Sequence, residues 1–182
     1  VKGKIGASAL TAKTTVNNNT AIGVRALATN TTGASLVAIG GLALATNNAA
    51  NNVAVGYNAL TANTTGDKNI SIGKDSMLTN TTGANNVAVG HEALETNNAD
   101  SNTALGYQAL KANTTGTFNQ ALGASALIAN TTGGRNNAFG YKALTANTEG
   151  EYNVAVGNEA LAANKDADNN TAVGHETKTT KN

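Results

Sequence analysis

His91 and His175, each followed directly by a glutamate (Glu92 and Glu176), are the residues best suited to acid–base chemistry. An imidazole beside a carboxylate can serve as a general base only if a nucleophile or water lies within hydrogen-bond reach. The chain has no cysteine, and no serine can be placed against either histidine with an acid to orient the ring. Tyr57, Tyr107 and Tyr141 complete a set of five rings that are candidates for contact with a ligand, because exposed aromatic groups supply area at low entropy cost. The plainer reading of the same five is a solvated corner, where rings scattered singly need no explanation.

What decides between these readings is the framework that carries the rings. Eleven glycines recur along the chain: Gly6, Gly23, Gly40, Gly56, Gly73, Gly90, Gly106, Gly123, Gly140, Gly157 and Gly174. Of the ten steps between them eight are 17 residues and two are 16, which is the signature of a stacked repeat. His91, His175 and the three tyrosines all directly follow such a glycine, in a position that also holds Ala7, Val24, Gly41, Lys74, Ala124 and Asn158. His91 and His175 are five repeats apart, hence roughly 24 Å at one strand spacing per repeat, too far to act together.

The residue before each glycine is Ile, Val, Leu or Phe without exception, which predicts that it points into a core. One residue earlier stands Ala in nine copies, with Lys4 and Ser71 the exceptions. Three residues of alternating face with β-branched enrichment predict a short strand. Four residues after the glycine stands Leu, replaced by Met77 once and by Lys178 at the end. That second run, Ala-Leu-x-Ala/Thr, reads as another short strand or a single helical turn, with Leu pointing inward. Asn-Thr-Thr-Gly turns follow at 63–66, 80–83, 113–116 and 130–133, where Asn and Gly tolerate positive φ. The two 16-residue repeats carry Asn47-Asn48-Ala49 and Asn97-Asn98-Ala99 instead, so the deletion sits at a corner.

These features predict an all-β parallel β-solenoid of about eleven rungs, one domain over residues 1–182, with atypical capping or junction rungs at 1–16 and 171–182. Asn recurs three residues after Leu and four before the glycine, placing one amide per rung in each of two ladders. The Asn-Thr-Thr triplets match a glycosylation sequon, but the ladder accounts for them without a sugar.

Composition fits a thin fibre. Aromatic residues are 3% and charged residues 13%, with no Trp, Pro or Cys and 29 Asn. Side chains this small leave room for only a thin core, close to the backbone. A net charge of +1 without a basic cluster gives no support for nucleic-acid binding, and no apolar run is long enough to span a bilayer. No signal peptide is visible, as expected of a mature chain or an excised piece. No metal, cofactor or enzymatic activity is expected. Hexapeptide acyltransferases, the enzymatic β-helices worth comparing, have three equal faces per rung, unlike these two unequal runs.

If the Val and Ile positions face inward, the alanines between them face out. Ala21, Ala38, Ala54, Ala88, Ala104, Ala121, Ala138, Ala155 and Ala172 then form an uncharged stripe along the rod, best explained by another copy packed against it with closed symmetry. These nine are the expected oligomer interface.

The stretches VAIG (37–40), NNVAVG (51–56 and 85–90), NISIG (69–73) and NVAVG (153–157) resemble the head repeats of YadA-like trimeric autotransporter adhesins. NTALGYQALKANTTG (102–116) is similar to repeats of phage tail-fibre proteins and related trimeric surface fibres. The resemblance covers nearly the whole chain and departs from the adhesin head in its longer Thr-Thr-Gly turn. It implies a left-handed β-roll in a homotrimer, outside a cell or on a virion, that binds a host or prey surface glycan or protein. A rival binding module is an ice-binding or glycan-binding solenoid. Paired threonines at 31–32, 64–65, 81–82, 114–115 and 131–132 suggest ice binding, but both short rungs interrupt the row.

Overall fold

A computed structural model describes residues 2–12 and 17–178. Residues 13–16 and 179–182 of the two end rungs, for which caps or junctions are expected, lie outside the described residues, as does Val1. Eleven strands stack in chain order into one parallel sheet: β1 (Lys2–Ile5), β2 (Asn19–Ile22), β3 (Val37–Ile39), β4 (Val53–Val55), β5 (Ile70–Ile72), β6 (Val87–Val89), β7 (Thr103–Leu105), β8 (Gln120–Leu122), β9 (Asn137–Phe139), β10 (Val154–Val156) and β11 (Thr171–Val173). Register is constant, so Ala88 lies between Ser71 and Ala104, and Val89 between Ile72 and Leu105. The chain is a β-solenoid of about ten turns, as the glycine spacing predicts.

The corner after each strand requires glycine for two reasons. Gly90 has φ of +141°, and a Cβ built on it would meet the carbonyl oxygen of Gly106, one rung on, at 2.3 Å. An alanine there would both occupy a region costly for L-residues and push two rungs apart.

The expected second strand is absent among the described residues. The Ala-Leu run is a succession of turns in which the leucines adopt φ near +50°, for example +52° at Leu94 and +53° at Leu110. Strand pairing in a regular ladder fails at such a dihedral, yet rung-to-rung bonding persists: Leu94 N donates to Ala109 O and Leu110 N to Ala126 O, both at 3.0 Å. Complete burial of Leu94 and Leu110 offsets the cost of the left-handed backbone, on the order of 1–2 kcal/mol per residue. Leu points inward, as predicted.

The core is thinner than the sequence reading assumed, and its faces are inverted. Ala21, Ala38, Ala54, Ala88, Ala104, Ala121, Ala138, Ala155 and Ala172 are all sealed inside the single chain, at most 3% exposed. They pack with the alanines before each leucine (Ala26, Ala59, Ala93 and their counterparts) and with the leucines themselves. The Val and Ile side chains flanking them point outward instead. The alanines therefore cannot be the oligomer interface. The physical reason is width: with the Ala-Leu turn run folded back against the strand, only a methyl group fits between them. One rung replaces both facing alanines together. There Ser71 Oγ donates to Ser76 O at 2.9 Å, so each hydroxyl that enters the core finds a carbonyl acceptor.

Both asparagine ladders form. Asn113 Nδ2 donates to Asn97 Oδ1 at 2.7 Å and to Gly116 O at 2.9 Å, and Asn130 Nδ2 to Asn113 Oδ1 at 2.8 Å. In the second ladder Asn102 Oδ1 accepts from Asn119 N at 2.9 Å, while Asn102 Nδ2 donates to Gly116 O at 2.9 Å. In the short rungs Ala49 and Ala99, and in a full-length rung Ala167, supply the carbonyl that Gly supplies in the others. Asn47 Nδ2 reaches Ala49 O at 2.7 Å, Asn97 Nδ2 reaches Ala99 O at 2.8 Å, and Asn86 Nδ2 reaches Ala99 O at 2.9 Å. The deletion thus removes a corner residue and keeps the acceptor. Asn30, Asn63, Asn80, Asn113 and Asn130, which head the sequons, are fully buried and cannot carry a sugar.

Two substitutions test the inverted faces. Ala88→Leu is expected to destabilise the chain by about 1–3 kcal/mol through overpacking, whereas Val89→Leu leaves it near the wild type. Equal melting temperatures for the two variants would show that the strand does not face as described. Asn113→Ala removes the ladder bonds to Asn97 Oδ1 and Gly116 O and the acceptor of Asn130 Nδ2, and is expected to cost about 1–3 kcal/mol in a denaturant titration.

Candidate functional site

Outside the core, the surface carries three features capable of recognition. The first is the outward strand face. Position one holds Val37, Val53, Ile70, Val87, Thr103, Gln120, Asn137, Val154 and Thr171, and position two Ile22, Ile39, Val55, Ile72, Val89, Leu105, Leu122, Phe139, Val156 and Val173. Ile72 is 38% exposed, Leu122 43% and Val173 69%. Stacked at about 4.8 Å, the side chains of position two form a continuous apolar stripe roughly 43 Å long, widened by position one where that is Val or Ile. A monomer rarely leaves so long an apolar surface in water.

The second feature is the corner after the marker glycine, where the five predicted ligand-contact residues lie. Tyr57, Tyr107, Tyr141 and His175 are exposed and His91 is half-buried. The fold brings only two of them together: the rings of His91 and Tyr107 stack at 5.7 Å with 15° between planes. Tyr141 instead receives Lys142, whose Nζ lies 5.1 Å from its ring centre. Nδ1 of His175 lies 3.2 Å from the carbonyl oxygen of Asn158. The sequence reading missed the polar network beneath His91. Glu92 Oε2 accepts from Lys111 Nζ at 2.6 Å and from Gln108 Nε2 at 2.7 Å, and Lys111 also reaches Glu95 at 3.2 Å. His91 Nδ1, shielded from solvent, has no hydrogen-bond partner and lies 3.8 Å from Glu92 Oε1. Hydrogen bonds from Lys111 and then Gln108 hold the Glu92 carboxyl below its usual range. Burial pushes Asp75 up, but hydrogen bonds from Asn58 and Lys74 outweigh it and its carboxyl is also lowered. These contacts join adjacent rungs at one edge. Among the described residues no group of three His, Asp or Glu side chains could hold a metal ion, and no helix is long and apolar enough to cross a membrane.

The third feature was not anticipated. At the corner before the strand, Arg135 lies between two rings on the neighbouring rungs. Its guanidinium carbon is 5.6 Å from the centre of Phe118 and 5.3 Å from that of Tyr152. The three residues are 17 apart, a signal present in the sequence but in a position that otherwise reads as turn. The threonine rows differ again: Thr64, Thr114 and Thr131 hydroxyls donate to the carbonyl of the next rung, at 2.9–3.1 Å. A hydroxyl spent in this way is no longer free to donate to an ice surface.

No family model, curated protein or solved structure matches the chain.

The Glu92 network predicts a pH dependence. A carboxyl lowered by folding contributes stability above its ordinary value of 4.5, and that contribution is lost as pH falls below it. Glu92→Gln is expected to lower the melting temperature by about 1–2 °C at pH 7, with the gap to wild type closing in acid. A gap that persists unchanged at pH 3 would mean that the Glu92 charge contributes nothing.

Proposed function

We propose that this chain is a structural and adhesive segment of an extracellular fibre, present at a cell surface or on a virion, in which three copies pack side by side. The observation that carries this reading is the apolar outward stripe from Ile22 to Val173. β-Branched side chains on an open sheet face, ordered at one height per rung, are suited to meshing with the same stripe on another copy. Closed symmetry leaves no stripe uncovered. The number three and a left-handed coil rest on the resemblance of the VAIG and VAVG segments to trimeric adhesin heads. The assembly remains the one expected from the sequence, but Ile and Val, rather than Ala, form its contact.

A rod of this kind holds a binding partner away from the surface that bears it, or binds along its side. The exposed Tyr57, Tyr107 and Tyr141 favour lateral contact with a glycan or protein on a host or prey surface. Nothing in this reading calls for catalysis, a cofactor, nucleic acid or insertion into a bilayer.

Light scattering on the folded protein tests it. The expected mass is that of three 18.1 kDa chains, and Ile72→Glu is expected to give a folded monomer. A monomeric wild type would overturn the proposal. A trimer indifferent to Ile72→Glu would place the contact on another face.

A further inference from the structure

The Phe118–Arg135–Tyr152 stack lies outside the apolar row of the proposed assembly, and it sits where two separate columns of the repeat change at once. The residue five before the marker glycine has a left-handed backbone in every rung from Asn18 to Asn169. It is Asn or Ser in six of those rungs and Lys68 in another, in keeping with the preference of short polar side chains for this region. Phe118 and Tyr152 adopt the same conformation, with φ of +59° and +56°. The core leucines offset that cost by complete burial, but these two rings are 53% and 49% exposed. Burial therefore does not offset their cost, and their contact is with Arg135, stacked between them. The adjoining strand position changes over the same rungs. It is Val or Ile from β3 to β6, then Thr103, Gln120 and Asn137 in β7 to β9. The second strand position stays apolar throughout, as Leu105, Leu122 and Phe139. The apolar stripe thus narrows to one row beside the aromatic pair, and Gln120 and the Arg135 side chain are left exposed there.

We infer that Phe118, Arg135 and Tyr152, with Gln120 and Asn137, form a binding site for a neutral polysaccharide lying along the rod. Two rings two rungs apart are separated by about 9.6 Å, which matches the repeat of an extended, alternately facing disaccharide. The guanidinium covers one side of each ring, and the exposed remainder offers an apolar surface for the CH side of a pyranose. Arg135 is oriented by both rings and has no carboxylate within ion-pairing distance among the described residues. Its N–H groups and the amides of Gln120 and Asn137 supply hydrogen bonds to hydroxyls. Charge selects against a polyanion, nucleic acid included. Asp100, Glu151 and Asp168 occupy the column immediately before this one, against a single arginine. All five residues belong to one chain, so the site does not require the assembly proposed above.

Titration calorimetry of the whole protein with cellohexaose, chitohexaose, mannohexaose and hexagalacturonate tests the site. At least one neutral hexasaccharide is expected to bind. Phe118→Asn and Tyr152→Asn are each expected to weaken it at least tenfold while leaving the melting temperature unchanged or higher, since Asn is the residue common at this corner. Arg135→Gln is expected to weaken it severalfold, and Lys68→Asn, in the same column three rungs away, to have no effect. Absence of binding by all three neutral probes at millimolar concentration overturns the inference. So does binding of hexagalacturonate alone, or neutral binding that survives both Asn variants. Light scattering on the same samples separates the two proposals: a monomer that binds refutes only the trimer, and a trimer that does not bind refutes only the site.

Discussion

The separation between each strand and the Ala-Leu turn run behind it is the constraint on which the rest of this molecule depends. It is filled by one alanine from each side and one leucine, with Ser71, Ser76 and Met77 standing in for them in a single rung. The composition follows from it, because an interior this narrow is filled by Ala and Leu. The exposure of Val and Ile follows as well, since β-branched side chains suit the strand but only its outer surface can hold them. A core so slight buries little apolar area per residue, and polar ladders do part of the work that hydrophobic packing does in thicker domains. Asn63, Asn80, Asn97 and Asn113 are as completely buried as the leucines, and each uses its amide to join its own turn to the adjacent rung.

Much of this architecture was legible in the residues. The glycine spacing revealed the number of rungs, the leucine position pointed inward, and the asparagine positions marked both ladders. The paired change of length and turn chemistry at 47–49 and 97–99 located the deletion at a corner. All of these are properties of one residue type in one column, and stacking in register converts a column directly into a row of contacts. The strand faces read the other way because hydrophobicity alone does not distinguish a side chain facing the core from one on the outer face of the sheet. Val89 and Ala88 are both apolar, and only the width of the rung decides which enters. The small side chains throughout the composition already implied that width.

The missing second strand has a different origin. A run such as Ala93-Leu94-Glu95-Thr96 has no residue that marks a left-handed backbone, yet Leu94 adopts one because burial and the bond to Ala109 O outweigh its local preference. Tertiary context of this kind is invisible to propensity. The corner chemistry was half legible: the row after the glycine was recognised as the place where side chains vary. His91 belongs to a bracket between rungs through its stack on Tyr107 and its neighbour Glu92. The row before the strand, with Phe118, Arg135 and Tyr152, was passed over because its other members are ordinary turn residues.

Stacking also has a mechanical consequence. Each rung occupies about 4.8 Å of rod, yet it contains 16 or 17 residues, or roughly 55 Å of extended chain. Because each rung is bonded only to its neighbours, tension applied to an end peels rungs away singly. Every rung released lengthens the tether more than tenfold over the rod it replaces, while the remaining rungs keep their shape. Such a stack yields under load in small steps, dissipating force along its length.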